Sequence, residues 1–145
     1  MEISTDRDRI DRDLVHRFLS EHSYWARTRT REENDRIIDA SLCFGVFDDG
    51  RQIAHARVIT DTVAFGYLGD VFVLPEARGR GVGKRLMEAV LAHPHVRDLR
   101  RLVLVTDDAH GLYEQYGFAP LHRDERFMAI ESQASAEACA EGEGC

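Results

Sequence analysis

The apolar residues Leu14, Val15, Phe18 and Leu19 recur at helical spacing between Arg12 and Ser20, which predicts a helix with that face inward. Thr30-Arg31-Glu32-Glu33 carries the reciprocal pattern of a capping box, so a second helix should follow with Ile37 and Ile38 inward. The period then changes. Leu42 to Phe47 and Gln52 to Thr60 are strand-like runs separated by Asp48-Asp49-Gly50, a hairpin signal. Val63 to Leu74 predicts a long strand ended by Pro75, and Gly66 and Gly69 within it mark a bulge or a close backbone approach. A helix should run from the glycines at 79–83 to about Ala92, with Val82, Leu86, Met87, Val90 and Leu91 on its inner face. Leu102 to Val105 predicts a short buried strand. Asp107 or Asp108 can then cap a short helix through Tyr116, which Gly117 would close. Phe118 to Leu121 and Phe127 to Ile130 predict two last strands. An antiparallel hairpin followed by strand, helix, strand and helix means a mixed α/β sheet. Residues 131–145, ESQASAEACAEGEGC, have no core-forming face and are expected to be disordered beside one folded region, 1–130.

Composition narrows the function classes. The 145 residues suit about one domain, at 43% hydrophobic and 31% charged. No apolar run approaches the ~18 residues of a membrane span, and the opening MEISTDRDRI has no apolar signal core. Cys43, Cys139 and Cys145 form no CxxC pair, so neither a disulfide framework nor a zinc cluster is expected, and a reducing cytoplasm is the simplest compartment. The net charge of −7 argues against a nucleic-acid partner, which usually meets a basic stripe. The excess is local: four of the 26 acids lie in residues 131–145, and the other 22 face 19 bases. Eighteen of those bases are arginine. The single lysine, Lys84, lies with Arg78, Arg80 and Arg85 around one glycine-rich loop.

That loop carries the chemistry. A strand enters Arg78-Gly79-Arg80-Gly81-Val82-Gly83-Lys84 and a helix leaves it. Helix starts offer free amides and a partial positive charge, and glycines let a phosphate come close to them. Two familiar phosphate loops do not fit. A Walker loop needs GxxxxGK[ST], but Arg78 stands five before Gly83 and Arg85 follows Lys84. A dinucleotide GxGxxG would need glycine at position 84 or 86, and neither position has it. The spacing that fits is RxxGxG at Arg78, Gly81 and Gly83.

With its preceding strand, this loop resembles the acyl-CoA loop of the GNAT superfamily of N-acyltransferases. Ala109-His110-Gly111-Leu112-Tyr113-Glu114-Gln115-Tyr116-Gly117-Phe118 is similar to the family's "A-x-x-LYExxGF" helix, in family order and spacing. The resemblance covers residues 1–130. It implies a GNAT-type mixed sheet flanked by helices, with antiparallel N-terminal strands and a splayed parallel central pair. It also implies acetyl-CoA as the acyl donor and a small-molecule primary amine as acceptor. Backbone at Val71, Phe72 and Val73 would bond the pantetheine arm, and Arg78, Gly79, Arg80, Gly81, Val82, Gly83 and Lys84 would hold the pyrophosphate. Tyr113 matches the tyrosine that protonates the leaving thiolate. The amine would attack directly, so no protein nucleophile and no metal is implied.

The base is open at this stage. Diamine acetyltransferases of the superfamily offer a glutamate in a YLED-FFV strand; the matching stretch here is Tyr67-Leu68-Gly69-Asp70-Val71-Phe72-Val73, with Gly69 at the glutamate position. Asp70 is a candidate base, cation binder or structural carboxylate; His110 and His55 are further candidate bases, as is solvent. Tyr24, Trp25 and Arg27, in the loop joining the first two helices, are candidates for the acceptor pocket by stacking and carboxylate binding. A non-catalytic acyl-CoA sensor and a protein N-terminal or lysine acetyltransferase are the alternatives, and a homodimer is compatible with the sequence.

Overall fold

The computed structural model describes residues 1–132, so most of the stretch expected to be disordered lies outside the described residues. Two units are distinguished, Met1–Leu104 and a second beginning at Val105.

In the first unit, five strands form one sheet in the order β1 (Glu2–Ser4), β2 (Leu42–Asp48), β3 (Arg51–Thr60), β4 (Phe65–Val73) and β5 (Arg101–Val103). The first three pairings are antiparallel and β4–β5 is parallel. Helices α1 (Arg12–His22) and α2 (Arg31–Asp39) precede β2, and α3 (Val82–Ala92) connects β4 to β5. Strand β1 was not legible in the sequence: three residues show no period, and the strand exists through its pairing with Gly45–Phe47.

Local chemistry explains the helix starts. The Asp11 carboxylate accepts from Leu14 N at 3.0 Å and opens α1, whose Leu14, Val15, Phe18 and Leu19 are all buried. The capping box at Thr30 forms as expected. Asn34 and Ile38 then centre the inward face of α2, and Ile37 is only half-buried on its flank. Asp49 and Gly50 both take positive φ, 49° and 77°, the twist of a tight hairpin turn. Strand β4 starts at Phe65 rather than Val63, because Asp61 Oδ1 accepts from the amides of Val63, Ala64 and Phe65 and holds them in a turn.

The two faces of the sheet are fixed by contacts. Phe72 stacks on Phe18 of α1 with ring centroids 4.1 Å apart, and its cross-strand partner His55 shares that face. Val73 Cγ2 lies 3.6 Å from the Cβ position of Gly83 in α3, so Val73 and its partner Ala54 look the other way. Between these pairs and Arg57↔Gly69, β4 carries one residue more than β3. This is a bulge, and Asp70 within it has φ 51°.

The parallel pair is splayed. β4 and β5 share only Phe65↔Arg101, Gly66↔Leu102 and Tyr67↔Val103, after which β4 continues to Val73. β5 is thus shorter than Leu102–Val105 and half-buried at Leu102 and Val103, since it has a β4 neighbour for three rungs only. In α3 the inward face holds Val82, Leu86, Met87 and Val90, with Leu91 half-buried.

The second unit departs further from expectation. Helix α4 spans His110–Glu114, and neither Asp107 nor Asp108 caps it; the Thr106 hydroxyl accepts from Ala109 N instead, at 3.0 Å. Gly117 closes the segment with φ 95°. Phe118–Leu121 and Phe127–Ile130 are not strands. Pro120 offers no amide to a ladder, and Met128 and Ile130 are fully exposed, so their apolar side chains are not packed as those of a buried strand would be.

Candidate active site

The glycine loop leaves β4 through a 3-10 turn at Pro75–Ala77 and enters α3 with Gly81 as the N-terminal flanking residue. Gly79 and Gly81 both have φ 76°, where a side chain is disfavoured. No atom lies within 4 Å of a Cβ placed on either. The first internal bond of α3 is Arg85 N to Gly81 O, which leaves the amides of Val82, Gly83 and Lys84 at the open end. The Val82 side chain is buried, so only its backbone faces the loop. Arg80 is tied to Asp48 at 2.7 Å, and Lys84 leans toward Glu88 at 3.9 Å on the exposed helix surface.

Beside the loop, β4 offers an edge. Leu74 N donates to Ile53 O at 2.9 Å. By the alternation of an antiparallel ladder, Phe72 also bonds toward β3, whereas Val71 and Val73 point their amides and carbonyls outward past the end of β5. Val73 O accepts from Arg78 Nε at 3.1 Å. Of the three predicted backbone contacts, Val71 and Val73 are therefore presented, and Phe72 is spent on packing and on β3.

Asp70, within the bulge, lies on the α1–α2 side of the sheet, where Trp25 and Arg29 meet it. This is the side away from Val73 that alternation assigns it, the side of Phe72. Its carboxylate is almost wholly enclosed and meets four donor atoms: Arg57 Nε at 2.7 Å, Arg29 Nη1 at 2.7 Å, Arg29 Nη2 at 3.3 Å and Trp25 Nε1 at 3.2 Å. Burial would raise the pKa of this carboxyl, but the charges and hydrogen bonds of Arg57 and Arg29 outweigh it and hold the group below its ordinary value. Trp25, one of the three loop candidates, is thus joined to Asp70, with Tyr24 edge-on to it at 5.1 Å between centroids. Arg27 lies exposed outside this cluster. Arg29 and Arg57 were missed. A signal existed, because an arginine within the apolar run Ile53–Val58 demands a buried partner.

The other titratable groups on this face are quiet. Cys43 is buried and its thiol is pushed up to about 11 by burial, so it stays protonated and inert near neutrality. His55 is fully enclosed; Nδ1 lies 3.4 Å from Gln52 Nε2 and Nε2 has no partner. Enclosure removes it as a base for an external substrate. It gives the fold a pH signature instead. Its pKa is pulled from 6.5 to about 4 by burial, with Asp70 opposing and Arg57 and Arg29 adding to the shift. The unfolded chain takes up a proton in that window that the folded chain refuses. Stability is therefore complete above about 6.5 and falls as pH drops toward about 4. At ~1.4 kcal/mol per unit the loss reaches about 3 kcal/mol. Urea melts from pH 7 to 4.5 should show this slope in the wild type and lose most of it in His55→Gln.

In the second unit, Tyr113 is half-buried on α4, 5.7 Å from the Phe118 ring centroid and edge-on to it. His110, at the start of the same helix, is exposed. Among the described residues no three His, Cys, Asp or Glu side chains gather to hold a metal, and no helix is long and apolar enough to cross a membrane.

A glycine cradle at a helix start, beside the open edge of a bulged strand in a splayed sheet, defines the acyl-CoA-dependent acyltransferase class. Residues 9–118 match the model of the acetyltransferase (GNAT) family, and the chain belongs to that family. A Xanthomonas campestris pv. campestris structure assigned to the GNAT acetyltransferases is 53% identical, with TM-score 0.88 over 90% of this chain and 92% of that one. A Gibberella zeae protein named as an acetyltransferase is 31% identical over 134 residues, 77% of this chain and 74% of its own length. A Clostridium acetobutylicum structure containing acetyl-CoA shares the fold, with TM-score 0.66 at 16% identity over 90% of this chain and 94% of that one. The protein is thus a GNAT-family acetyltransferase.

Proposed function

We propose that the protein moves an acetyl group from acetyl-CoA to the primary amine of a small molecule by direct attack. The observation that carries this reading is the cradle: two glycines at φ 76° with open space above them, at a helix start. The residues fit a pyrophosphate. Amides of residues 82–84 would bond its oxygens, Gly79 and Gly81 would let it approach, and Arg78, Arg80 and Lys84 would lend positive charge. The outward groups of Val71 and Val73 would bond the pantetheine arm as a further strand would.

Acetyl-CoA supplies the acetyl group already activated as a thioester. The neutral amine forms the new C–N bond, the C–S bond breaks, and solvent takes the amine proton. Asp70 does not serve as the base in this reading, because its lone pairs are committed to two arginines and a tryptophan. His110 is exposed at the start of α4, and it is not required. Tyr113 delivers a proton to the departing sulfur. A phenol near ~10 cannot fully protonate a thiolate near ~8.5, so most of its effect is a hydrogen bond that strengthens as charge develops. Tyr113→Phe should lower kcat by ~10²-fold while CoA affinity stays within twofold. Thiol release and calorimetry check the two halves, and full activity in the variant would remove Tyr113 from the mechanism.

A further inference from the structure

The segment between α1 and α2 is pinned from two sides. Toward α1, Ser23 Oγ donates to Leu19 O at 2.8 Å and accepts from Ala26 N at 3.1 Å, and His16 Nε2 donates to Arg29 O at 2.9 Å. Toward the sheet, one carboxylate takes two of its side chains. Asp70 accepts from Trp25 Nε1 at 3.2 Å and from both terminal nitrogens of Arg29, at 2.7 Å and 3.3 Å.

The group so held is not itself buried. Trp25 is 41% exposed, although its nitrogen ends on a carboxylate that is 2% exposed. The polar edge of the indole is therefore turned inward, and carbon surface of the ring is left toward solvent. A lone exposed apolar side chain needs no explanation, but an exposed ring locked by an enclosed charge does. Stability alone does not require the lock, because apolar residues of similar volume in place of a buried ion pair are often neutral or stabilising. What Asp70 and Arg29 add is a fixed orientation, which reduces the ordering cost of any ligand contact made with the ring. The ring also stands near the proposed reaction. Asp70 is followed directly by Val71, whose outward backbone groups are the proposed seat of the pantetheine arm, and adjacent Cα atoms are ~3.8 Å apart.

The chemistry of the ring selects the group it meets. Its N–H is taken by Asp70, so only carbon surface remains to offer. A cation over the ring is disfavoured, because Arg29 and Arg57 already share that one carboxylate. We propose that Trp25 forms one wall of the acceptor site, that Asp70 and Arg29 are positioning residues acting through it, and that the acceptor is an amine carrying an apolar chain or ring. This substrate class rests on the acetyl-transfer reading above, so binding and turnover are measured apart.

N-acetylhexylamine and mono-N-acetylcadaverine differ only in a methyl or an ammonium group at the far end. Titrated calorimetrically into the full chain saturated with CoA, the first should bind at least tenfold more tightly. Its binding should also change the emission of Trp25, the only tryptophan. Trp25→Ala removes an exposed ring and should bring the two affinities close to equal without changing CoA affinity. In turnover, followed by thiol release, hexylamine should show at least tenfold higher kcat/KM than cadaverine. Arg29→Gln should raise the KM for hexylamine several-fold while kcat and CoA affinity stay within twofold. It should raise that KM no further in Trp25→Ala, because it acts through the ring. Equal affinity for the two acetylated probes, including none for either, or a preference that survives Trp25→Ala, overturns the acceptor wall. An unchanged KM in Arg29→Gln, or an increase that persists in full in Trp25→Ala, overturns the positioning role. No thiol release from any amine, with the ring-dependent probe preference intact, overturns acetyl transfer and leaves the wall standing.

Discussion

Gly81→Glu is expected to abolish CoA binding in a protein that still folds. Two effects compete at this position, and their sizes decide the outcome. The backbone at Gly81 is left-handed, with φ 76°, and a residue with a Cβ costs ~1 kcal/mol there. That is a small part of a domain's ordinary stability of ~5–15 kcal/mol. No protein atom lies within 4 Å of the added Cβ, so packing is undisturbed. The new carboxylate, however, would stand at the helix start where pyrophosphate oxygens are proposed to sit. Two like charges ~4 Å apart repel by ~4 kcal/mol near a protein surface, which is about 10³-fold in affinity. Calorimetry with CoA should therefore show no measurable binding while the circular dichroism melt moves by a few degrees. Gly81→Ala adds the strain without the charge and should keep binding within about tenfold. CoA affinity of Gly81→Glu within tenfold of wild type would falsify the cradle assignment.

The sequence made the cradle legible because its determinants are local. Three glycines at alternate positions, an arginine three before Gly81 and a helix pattern after it lie within about a dozen residues, and short-range sterics fix their conformation. The hairpin at Asp49-Gly50 and the capping box at Thr30 were legible for the same reason. The acceptor side was not. Asp70 lies on the face that alternation from Val71 and Val73 assigns it, but the bulge shifts the register with β3 by one residue, so alternation alone does not say which β3 side chain it meets. Its partners Arg29 and Arg57 are 41 and 13 residues away in sequence. No period links them. What the sequence did carry was a mismatch: charged residues inside two otherwise apolar strands. Reading each as needing the other would have paired Arg57 with Asp70. Arg29 is harder, because it sits in the alternating series Arg27, Arg29, Arg31, and only the fold singles it out. The failed strands at 118–121 and 127–130 make the complementary point. Their apolar pattern is real, but a strand is a property of a pair, and the pattern names no partner.

Asp70→Asn is expected to be the most destabilising conservative change in the first unit. The carboxylate bonds both nitrogens of the Arg29 fork, Arg57 Nε and Trp25 Nε1, and its side chain is 2% exposed. Asparagine keeps the size and tolerates the positive φ of 51° at this bulge better than most residues, so backbone strain does not confuse the result. It removes the one negative charge between two enclosed guanidiniums. Breaking a buried ion pair in this way costs ~3–5 kcal/mol, because the remaining charges are left uncompensated. At ~2–8 °C per kcal/mol, the melting temperature should fall by roughly 10 °C or more. The loop holding Trp25 and Arg29 should loosen with it, and tryptophan emission should shift to the red because Trp25 is the only tryptophan. The pH dependence carries the same sign. The folded carboxyl is held below its ordinary value, so its stabilisation is present above the unfolded pKa of ~3.9 and is lost only as pH falls through the lower folded value. Wild type and variant should therefore differ most near neutrality and converge in strong acid. A general base would behave otherwise: Asp70→Asn would lower kcat steeply while melting and emission stayed unchanged. Removing one of the stranded charges decides between the two. Arg29→Gln added to Asp70→Asn should recover part of the lost stability, a coupling that contact within one charged network produces and a catalytic role does not.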